Sequence, residues 1–398
     1  MIHGPLDPNE RFRTRRQQAR RRRAVRRLSL VGLVVFAAAG LTLGARWLGG
    51  DAPTVTAPSA EPDAAQTVAA PPPAPPEPRA RPAEIRGVHV TMALASIPGK
   101  LDEYLTLVGD GLNTLQLDVK DENGEVGFRS PKVALAHKIG AARPYYKARQ
   151  AARKVRERGV YLVGRVVVFE DPVLAQSRPA MAIRTADGGV WTNDVGLGWT
   201  NPYDRRVWQY NVDLAVAAIE AGFDEIMFDY VRFPTDGDLE SAVFNGAQKV
   251  PKHETIADFL DYAASRIRPA GGRLSIAVFG LSATRNLGIG QKVRRLAKEV
   301  DAVYPMVYPS HYSPGELGVP DPNGDPGMTV SRSLRDFQKQ LEGRKALLVP
   351  WLQDFSLGRT YTLAEVKAQV NAARRMDTGG FLLWNAAGVY TPGALAGQ

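Results

Sequence analysis

Short apolar segments alternate with helical patterns from residue 84 to the end of this 398-residue chain. Eight predicted strands are Gly87–Thr91, Thr114–Val119, Tyr161–Phe169, Glu225–Asp229, Leu274–Phe279, Ala302–Tyr308, Ala346–Trp351 and Gly380–Trp384. The helical patterns between them are Leu101–Val108, Tyr145–Arg158, Arg205–Ala221, Ile256–Ile267, Gly290–Val300, Ser331–Leu341 and Leu363–Met376. Eight strands joined by helices in a body of this size are typical of a (β/α)8 TIM barrel. The predicted fold class is therefore α/β, with an eighth helix that is missing or short.

A doubly wound open sheet is the alternative for a chain that alternates strands and helices. Open sheets of this kind commonly bind nucleotides through a Gly-x-Gly-x-x-Gly motif after the first strand. The sequence has no such motif at that position and no Walker phosphate loop. The barrel is therefore the favoured arrangement.

The first 83 residues have the composition of a tail, an apolar segment and a linker. Residues 1–27 contain ten arginines against two carboxylates, a net charge of +8, so most of the formal net charge of +10 belongs to this tail. The rest of the chain is near neutral, so no nucleic-acid partner is predicted. Residues 28–48 contain an uncharged stretch of the length that spans a bilayer. Residues 49–83 are rich in Pro and Ala and predict a disordered, semi-rigid linker.

The apolar segment has two possible fates. Basic residues on one flank predict that this flank stays in the cytoplasm, which makes 28–48 a membrane anchor and places the barrel domain, 84–398, outside. Cleavage after Leu43-Gly44-Ala45, followed by secretion, is the alternative. The arginine-rich region is long for a signal peptide, which favours the anchor. The chain has no cysteine, so its exported domain depends on core burial without disulfides.

The fourth predicted strand is the most informative motif. Its apolar run, Ile226-Met227-Phe228, stops at Asp229, and Arg232 follows three residues later. A carboxylate at the carboxyl end of a barrel strand is where TIM-barrel enzymes place catalytic groups. A buried Asp229–Arg232 ion pair that fixes the strand end is the structural alternative.

Other predicted strands also end in polar or aromatic residues, which a barrel brings to one mouth. The predicted catalytic carboxylates are Asp229, Asp118 and Asp354. The predicted substrate-binding residues are Arg232, Asp121, Arg165, Glu170, Asn201, Tyr308, His311, Trp351 and Trp384. Structural roles are the alternatives: caps or turns for Asp118, Asp121 and Asn201, a loop start for Glu170, a hydrogen-bonded loop position for His311, and packing for Tyr308.

Carboxylates and aromatic rings around one mouth are typical of sites that stack on sugars and protonate glycosidic oxygens. No His-x-His or His-Glu-x-x-His spacing is present, so neither a catalytic metal nor another cofactor is predicted. The absence of a Gly-x-Ser-x-Gly elbow argues against an α/β-hydrolase. We expect hydrolysis of an envelope or extracellular polysaccharide, with a non-catalytic carbohydrate-binding barrel as the alternative.

The stretch from Gly222 to Pro234 resembles the signature of a bacterial glycoside hydrolase domain family that is grouped with α-amylase-like TIM barrels. Arg86-Gly87-Val88, the segment 199–203 and the segment 306–312 resemble further motifs of that family. The resemblance extends over roughly residues 84–390. It implies a barrel in which Asp229 stands where α-amylase-like enzymes place their nucleophile.

Two departures from related enzymes limit what the resemblance implies. α-Amylase-like enzymes take a glutamic acid from strand 5, where this chain has Phe279-Gly280-Leu281-Ser282. The general acid must then come from another strand, and the candidates are Asp118, Asp121, Glu170, Asp171 and Asp354, with Asp118 preferred. Val231 stands where chitinases carry their catalytic glutamate, which disfavours substrate-assisted chemistry.

Overall fold

The computed structural model describes residues 77–246 and 250–397. Its strands are β1 (Ile85–Val90), β2 (Thr114–Lys120), β3 (Tyr161–Val167), β4 (Glu225–Asp229), β5 (Arg273–Phe279), β6 (Ala302–Met306), β7 (Leu347–Leu348 and Trp351–Gln353) and β8 (Gly380–Trp384). Each strand pairs in parallel with its neighbours, and β8 pairs with β1, so the sheet is closed. This closed eight-stranded sheet confirms the predicted (β/α)8 barrel. Pro350 lies in the break of β7, since proline has no N–H to donate to a neighbouring strand.

Seven helices follow the first seven strands in the described part of the chain. They are α1 (Lys100–Thr106), α2 (Ala148–Glu157), α3 (Arg205–Ala221), α4 (Lys252–Ile267), α5 (Val293–Leu296), α6 (Pro326–Leu341) and α7 (Leu363–Arg375). Gly222 ends α3 in the left-handed conformation, at φ 109°, as its position in the sequence predicts. The helix predicted over Gly290–Val300 is reduced to one turn, since Gly290 is itself left-handed, at φ 87°. Shorter α-helical turns lie in the loops at Met92–Ala95, Ala134–Lys138 and Pro172–Ser177.

An irregular segment, residues 385–397, takes the place of an eighth helix. The Tyr104 hydroxyl of α1 donates to the carbonyl of Gly388 at 2.7 Å, and Lys367 Nζ of α7 donates to the carbonyl of Ala396 at 2.9 Å. Leu395 is buried. The segment therefore packs against the first and last helices and closes the outer layer, as the short remainder after β8 predicts.

The amino ends of the strands form a closed floor around Glu225 of β4, which is fully buried. Arg81 Nε donates to Glu225 Oε2 at 2.8 Å, and the hydroxyls of Tyr161 and Tyr304 donate to the same carboxylate at 3.1 Å each. Nearby, Arg79 Nη1 binds Asp224 Oδ2 at 3.2 Å. Both arginines lie within the segment 49–83 predicted as linker, so its last residues contact the barrel.

Large side chains fill the lumen above this floor, which leaves the opposite end for a site. The lumen cluster includes Val163, Met227, Tyr304, Trp351 and Leu382, all buried. The carboxyl ends of the strands, where Asp229 lies, form the mouth.

Within residues 77–246 and 250–397, no helix combines the length and the apolar character needed to cross a bilayer. The predicted arginine-rich tail, the predicted anchor at 28–48 and the linker as far as residue 76 lie outside the described residues. The anchor therefore stays a prediction from the sequence.

Candidate active site

Asp229 lies at the end of β4 and is almost fully buried, at 2% exposure. Arg165 of the neighbouring strand β3 donates from Nε to Asp229 Oδ2 at 2.9 Å, and its Nη2 lies 2.8 Å from the same oxygen in an ion pair. The backbone N–H of Tyr230 donates to the other oxygen, Oδ1, at 2.8 Å. Both carboxylate oxygens are thus held by donors, which fixes the side chain at the mouth.

Arg232 does not pair with Asp229, so the Asp229–Arg232 ion pair that was the structural alternative is wrong. Tyr230 between them has a left-handed backbone, with φ 49°, and turns the chain out of the strand. The guanidinium of Arg232 instead lies over the rings of three aromatic residues. These are Trp199, Tyr230 and Phe279, at 4.9, 5.0 and 4.7 Å from the ring centres.

Asp118 is the centre of a second buried charge contact. His89 Nε2 lies 2.9 Å from Asp118 Oδ1, and Arg165 Nη1 donates to the same oxygen at 3.0 Å. Burial acts to raise the pKa of Asp118, but His89 and Arg165 together hold it below its ordinary value. An acid that stays ionised at neutral pH is a poor proton donor, so these surroundings do not suit the preferred sequence-based role of Asp118.

Glu170 has the opposite environment. It lies three residues beyond β3, it is 4% exposed, and Asn193 Nδ2 donates to its Oε2 at 3.1 Å. Burial raises the pKa of Glu170 to about 8, against the opposing effect of Arg232, and the charge of Asp229 adds to the rise. Glu170 is therefore protonated at neutral pH, which is the state that a general acid needs.

The backbone around Glu170 is fixed from two sides. Glu170 pairs with Trp199 in an isolated antiparallel bridge. The next residue, Asp171, accepts from Lys120 Nζ at 2.6 Å in a fully buried ion pair and caps the helix Pro172–Ser177. This ion pair anchors the loop that carries Glu170 to the end of β2.

Three buried polar groups close to the Asp118–Arg165–Asp229 contacts have no hydrogen-bond partner among the described residues. They are His89 Nδ1, the Tyr308 hydroxyl and Trp351 Nε1. The rings of His89 and Trp351 are 6.1 Å apart. Buried polar groups are nearly always paired in native proteins, so these three are candidates to bind the hydroxyls of a ligand or ordered water.

Aromatic rings cover the adjacent side of the mouth. Tyr308 stacks on Trp384 with ring centres 5.6 Å apart and planes at 29°. Phe355 meets both rings edge-on. The ring centre of the exposed His311 lies 5.4 Å from that of Tyr308. Trp384 and Phe355 are half-buried, so their rings are accessible to a flat apolar face such as that of a sugar.

Residues 87–390 match the family described as "Putative glycosyl hydrolase domain". The chain belongs to this family. The match covers most of the chain and confirms the resemblance that rests on the segment from Gly222 to Pro234.

Several solved structures are similar to this glycosyl hydrolase domain. One is a hypothetical protein from Ruminiclostridium thermocellum ATCC 27405, with 33% sequence identity. The match covers 48% of this chain and 96% of that chain, with a TM-score of 0.43. The PgaB (BpsB) glycoside hydrolase domain from Bordetella bronchiseptica is 12% identical over 77% of this chain and 95% of that chain, with TM-score 0.56, which shows the shared fold. The spore cortex-lytic enzyme SleL from Bacillus megaterium QM B1551 is 13% identical over 82% and 74%, with TM-score 0.48. A search of curated proteins gave no match.

Three predicted site residues of the glycosyl hydrolase domain have structural partners. The backbone N–H and hydroxyl of Thr391 donate to the two oxygens of Asp354, which ties the C-terminal segment to β7. Asp121 accepts from the N–H groups of Asn123 and Glu125 in a turn. Asn201 donates to the carbonyl of Asn245 and accepts from the N–H of Tyr203 in another turn. These contacts favour the structural alternatives for all three.

Two site residues had no assigned role in the sequence analysis. The position of His89 is a weak indication of a role in the site, since a histidine at the end of an apolar barrel strand lies near the mouth. The position of Asn193 indicates no such role, because Asn193 lies in a long loop after β3. The path of that loop depends on the pairing of Glu170 with Trp199.

Proposed function

We propose that this domain is a glycoside hydrolase that cleaves an envelope or extracellular polysaccharide, with Glu170 as general acid and Asp229 as the group that stabilises the positive charge on the sugar. One observation carries the proposal: two carboxyl groups, Glu170 in the loop after β3 and Asp229 at the end of β4, have opposite environments. Burial raises the pKa of Glu170 to about 8, whereas Asp229 is ion-paired with the Arg165 guanidinium and accepts a hydrogen bond from its Nε. Such a division between two carboxyl groups is the usual basis of glycosidic hydrolysis at neutral pH.

The sheet supports this pairing of roles. Neighbouring strands are about 4.8 Å apart, and the register pairs Val167 of β3 with Asp229 of β4. Glu170 follows Val167 by three residues, so both carboxyl groups approach the mouth from adjacent positions. In the proposed reaction Glu170 gives its proton to the glycosidic oxygen as the bond to the anomeric carbon breaks. Asp229 stabilises the positive charge that develops on the sugar ring. A water molecule then adds its hydroxyl to the anomeric carbon and returns its other proton to Glu170, which restores the acid.

The other contacts suit binding and positioning. Arg165 links Asp118 to Asp229, so His89 and Asp118 hold the guanidinium in place. The unpartnered groups of His89, Tyr308 and Trp351 supply polar atoms for sugar hydroxyls. The Tyr308–Trp384 stack supplies an apolar surface for a sugar ring.

We further propose that residues 28–48 anchor the chain in a membrane and that the linker holds the domain outside the cytoplasm. The basic flank in residues 1–27 supports this orientation, because arginines are retained on the cytoplasmic side. Secretion after cleavage of the apolar segment is the alternative.

The test is hydrolysis of a panel of cell-wall and extracellular polysaccharides by the wild type and by Glu170→Gln and Asp229→Asn. We expect each substitution to lower kcat by about 10²- to 10⁴-fold with the fold intact. Asp187→Asn is the matched control, because this carboxylate is exposed in the same loop as Glu170. Retained activity in Glu170→Gln would contradict its role as the acid. Binding of glycans by the wild type without any hydrolysis would favour the carbohydrate-binding alternative.

A further inference from the structure

Two nearly buried arginines at the mouth use their guanidinium groups differently. Arg165 is 6% exposed, and its Nε and Nη2 donors both bind the carboxylate of Asp229. Arg232 is 5% exposed, and its hydrogen bonds come from Nη1 alone, to the carbonyl of Phe233 at 3.0 Å and to Thr235 Oγ1 at 3.4 Å. Among the residues that the structure describes, the Nε–Nη2 edge of Arg232 has no hydrogen-bond partner.

The position of Arg232 is fixed without that edge being used. Three rings lie within 5.0 Å of the guanidinium carbon, and they belong to Trp199, Tyr230 and Phe279. Rings attract the cation through their faces, but they cannot accept the in-plane hydrogen bonds of Nε and Nη2. The free edge is therefore held in one orientation before any ligand arrives, which lowers the entropic cost of binding.

The charges around Arg232 leave it incompletely neutralised. In the described ranges no carboxylate lies within ion-pairing distance of its guanidinium, and Glu170, Asp229 and Asp236 act on it only through longer-range interactions. Glu170 is protonated at neutral pH and so contributes no full negative charge there. A buried cation in such surroundings is costly unless an anion pairs with it.

We propose that the free edge of Arg232 binds a carboxylate carried by the sugar beside the scissile bond, so that the substrate is an acidic glycan. This inference rests on the proposed hydrolase function. The two oxygens of a carboxylate match two parallel N–H donors on one guanidinium edge. Arg165 shows that this mouth already holds a carboxylate, Asp229, against the Nε–Nη2 edge of an arginine. The interaction of Arg232 with Glu170 places this charge next to the proposed acid.

Two common kinds of sugar in bacterial polysaccharides carry such a carboxylate. One is a uronic acid, with its C6 carboxylate, and the other is a muramic-type amino sugar, with its lactyl ether. Both present the same planar anion to Arg232, so the experiment has one arm for each. The probes are oligosaccharides of glucuronic acid and N-acetylglucosamine, and peptide-free peptidoglycan strands. Each is compared with a sample whose carboxylates have been reduced to alcohols.

The full chain in detergent is assayed on all four probes for Kd and for kcat/KM. We expect the wild type to prefer the carboxylate form in at least one arm by about 10- to 100-fold, the size of a charged bidentate contact. Arg232→Gln should bring this ratio close to one, and Arg232→Lys should keep part of it. Arg285→Gln, an exposed arginine after β5, is the matched control and should keep the full ratio.

The outcomes separate the inference from the function on which it rests. Hydrolysis of neutral glycans, together with equal rates on the native and reduced probes, would overturn the acidic-glycan inference. The proposed hydrolase function would still stand. Preferential binding of the acidic probes without hydrolysis of any glycan would contradict the proposed hydrolase function and support carboxylate recognition. The comparison of native with reduced probes uses the wild type, so it decides the question even if Arg232→Gln fails to fold.

Discussion

Arg165 holds Asp229 with two donors on one carboxylate oxygen, at 2.9 and 2.8 Å, in a contact that is almost fully buried. The same guanidinium reaches Asp118 at 3.0 Å, so one cation serves two buried carboxylates. Replacing Arg165 by Met removes the shared cation and leaves Asp118 with His89 and Asp229 with the N–H of Tyr230. We expect a loss of about 3–5 kcal/mol in the free energy of unfolding. Urea unfolding at pH 7 measures the loss.

Arg165→Lys tests geometry apart from charge. Lysine keeps one positive charge but has no planar fork, so it cannot hold both carboxylates in the same way. We expect stability between those of the wild type and Arg165→Met, and a fall in kcat larger than the loss of stability alone explains. A lysine variant with full activity would show that the charge, and not the fork, is what Asp229 needs.

The raised pKa of Glu170 predicts how the free energy of unfolding depends on pH. Its pKa rises from an ordinary value of 4.5 to about 8 in the folded chain, so the folded state binds the proton more tightly than the unfolded state. The contribution of Glu170 to stability is complete below pH 4.5 and is lost as pH rises to about 8, by at most ~1.4 kcal/mol per pH unit. Glu170→Gln removes this slope. Unfolding of both proteins in urea at pH 5, 6, 7 and 8 should give a difference that moves in favour of the variant as pH rises.

We expect Glu170 also to set the basic limb of the activity profile. A general acid must carry its proton, so kcat/KM should fall as pH rises past about 8. Asp187→Asn should leave this limb unchanged. A profile that stays flat between pH 7 and pH 10 would exclude Glu170 as the acid.

Trp384 tests the aromatic surface. Removal of its ring in Trp384→Ala takes away a stacking contact of about 0.5–1.5 kcal/mol, which corresponds to roughly a 2- to 10-fold higher KM with little change in kcat. Trp384→Phe keeps an aromatic ring and should show a smaller change. Equal KM values for both variants and the wild type would mean that the substrate does not stack here.

The ion pair between Arg81 and Glu225 predicts that residues before Glu84 stabilise the barrel. Arg81→Met leaves the fully buried Glu225 without its cation, and we expect a loss of about 3–5 kcal/mol in the free energy of unfolding. Arg79→Met is the matched control and should cost less than about 1 kcal/mol, because its guanidinium is one-third exposed and Asp224 keeps the N–H of Leu162. The double variant Arg81→Met/Glu225→Gln should recover part of the loss, since the amide is neutral and still pairs with the tyrosine hydroxyls.

A chain that starts at Glu77 should likewise be more stable than one that starts at Glu84.

The topology proposal is tested in intact cells. Residues 1–27 should lie in the cytoplasm and residues 51–398 outside, because moving ten guanidinium groups across a bilayer is prohibitive. Protease added to sealed spheroplasts should remove the domain. Protection of the domain while a cytoplasmic marker also stays protected would refute the anchored orientation.

The strands were predictable because their signals are local. Buried parallel strands consist of apolar residues on both faces, and the predicted limits of β4 and β8 agree with the structure to the residue. The helix Arg205–Ala221 is likewise predicted in full, from its amphipathic pattern and the glycine that ends it. The closed barrel follows from counting these segments.

The charge contacts at the mouth were not predictable in the same way. The sequence offers Arg232 as the neighbour of Asp229, but residues three apart on an extended strand face opposite sides, and Tyr230 turns the chain away. The true partner, Arg165, is 64 residues distant and meets Asp229 only through the register of β3 with β4. The proposal that Glu170 is the acid depends on its burial in a loop, which neither spacing nor residue type reveals.

The two ends of the described chain leave the barrel on the same side. Arg79 and Arg81 enter at the floor, and Leu395 lies against Gly111, which precedes the amino end of β2. Coupling the protein to a bead or an electrode through either end would therefore present the mouth outward. An insoluble polymer could then meet the immobilised catalyst with the attachment chemistry out of its path.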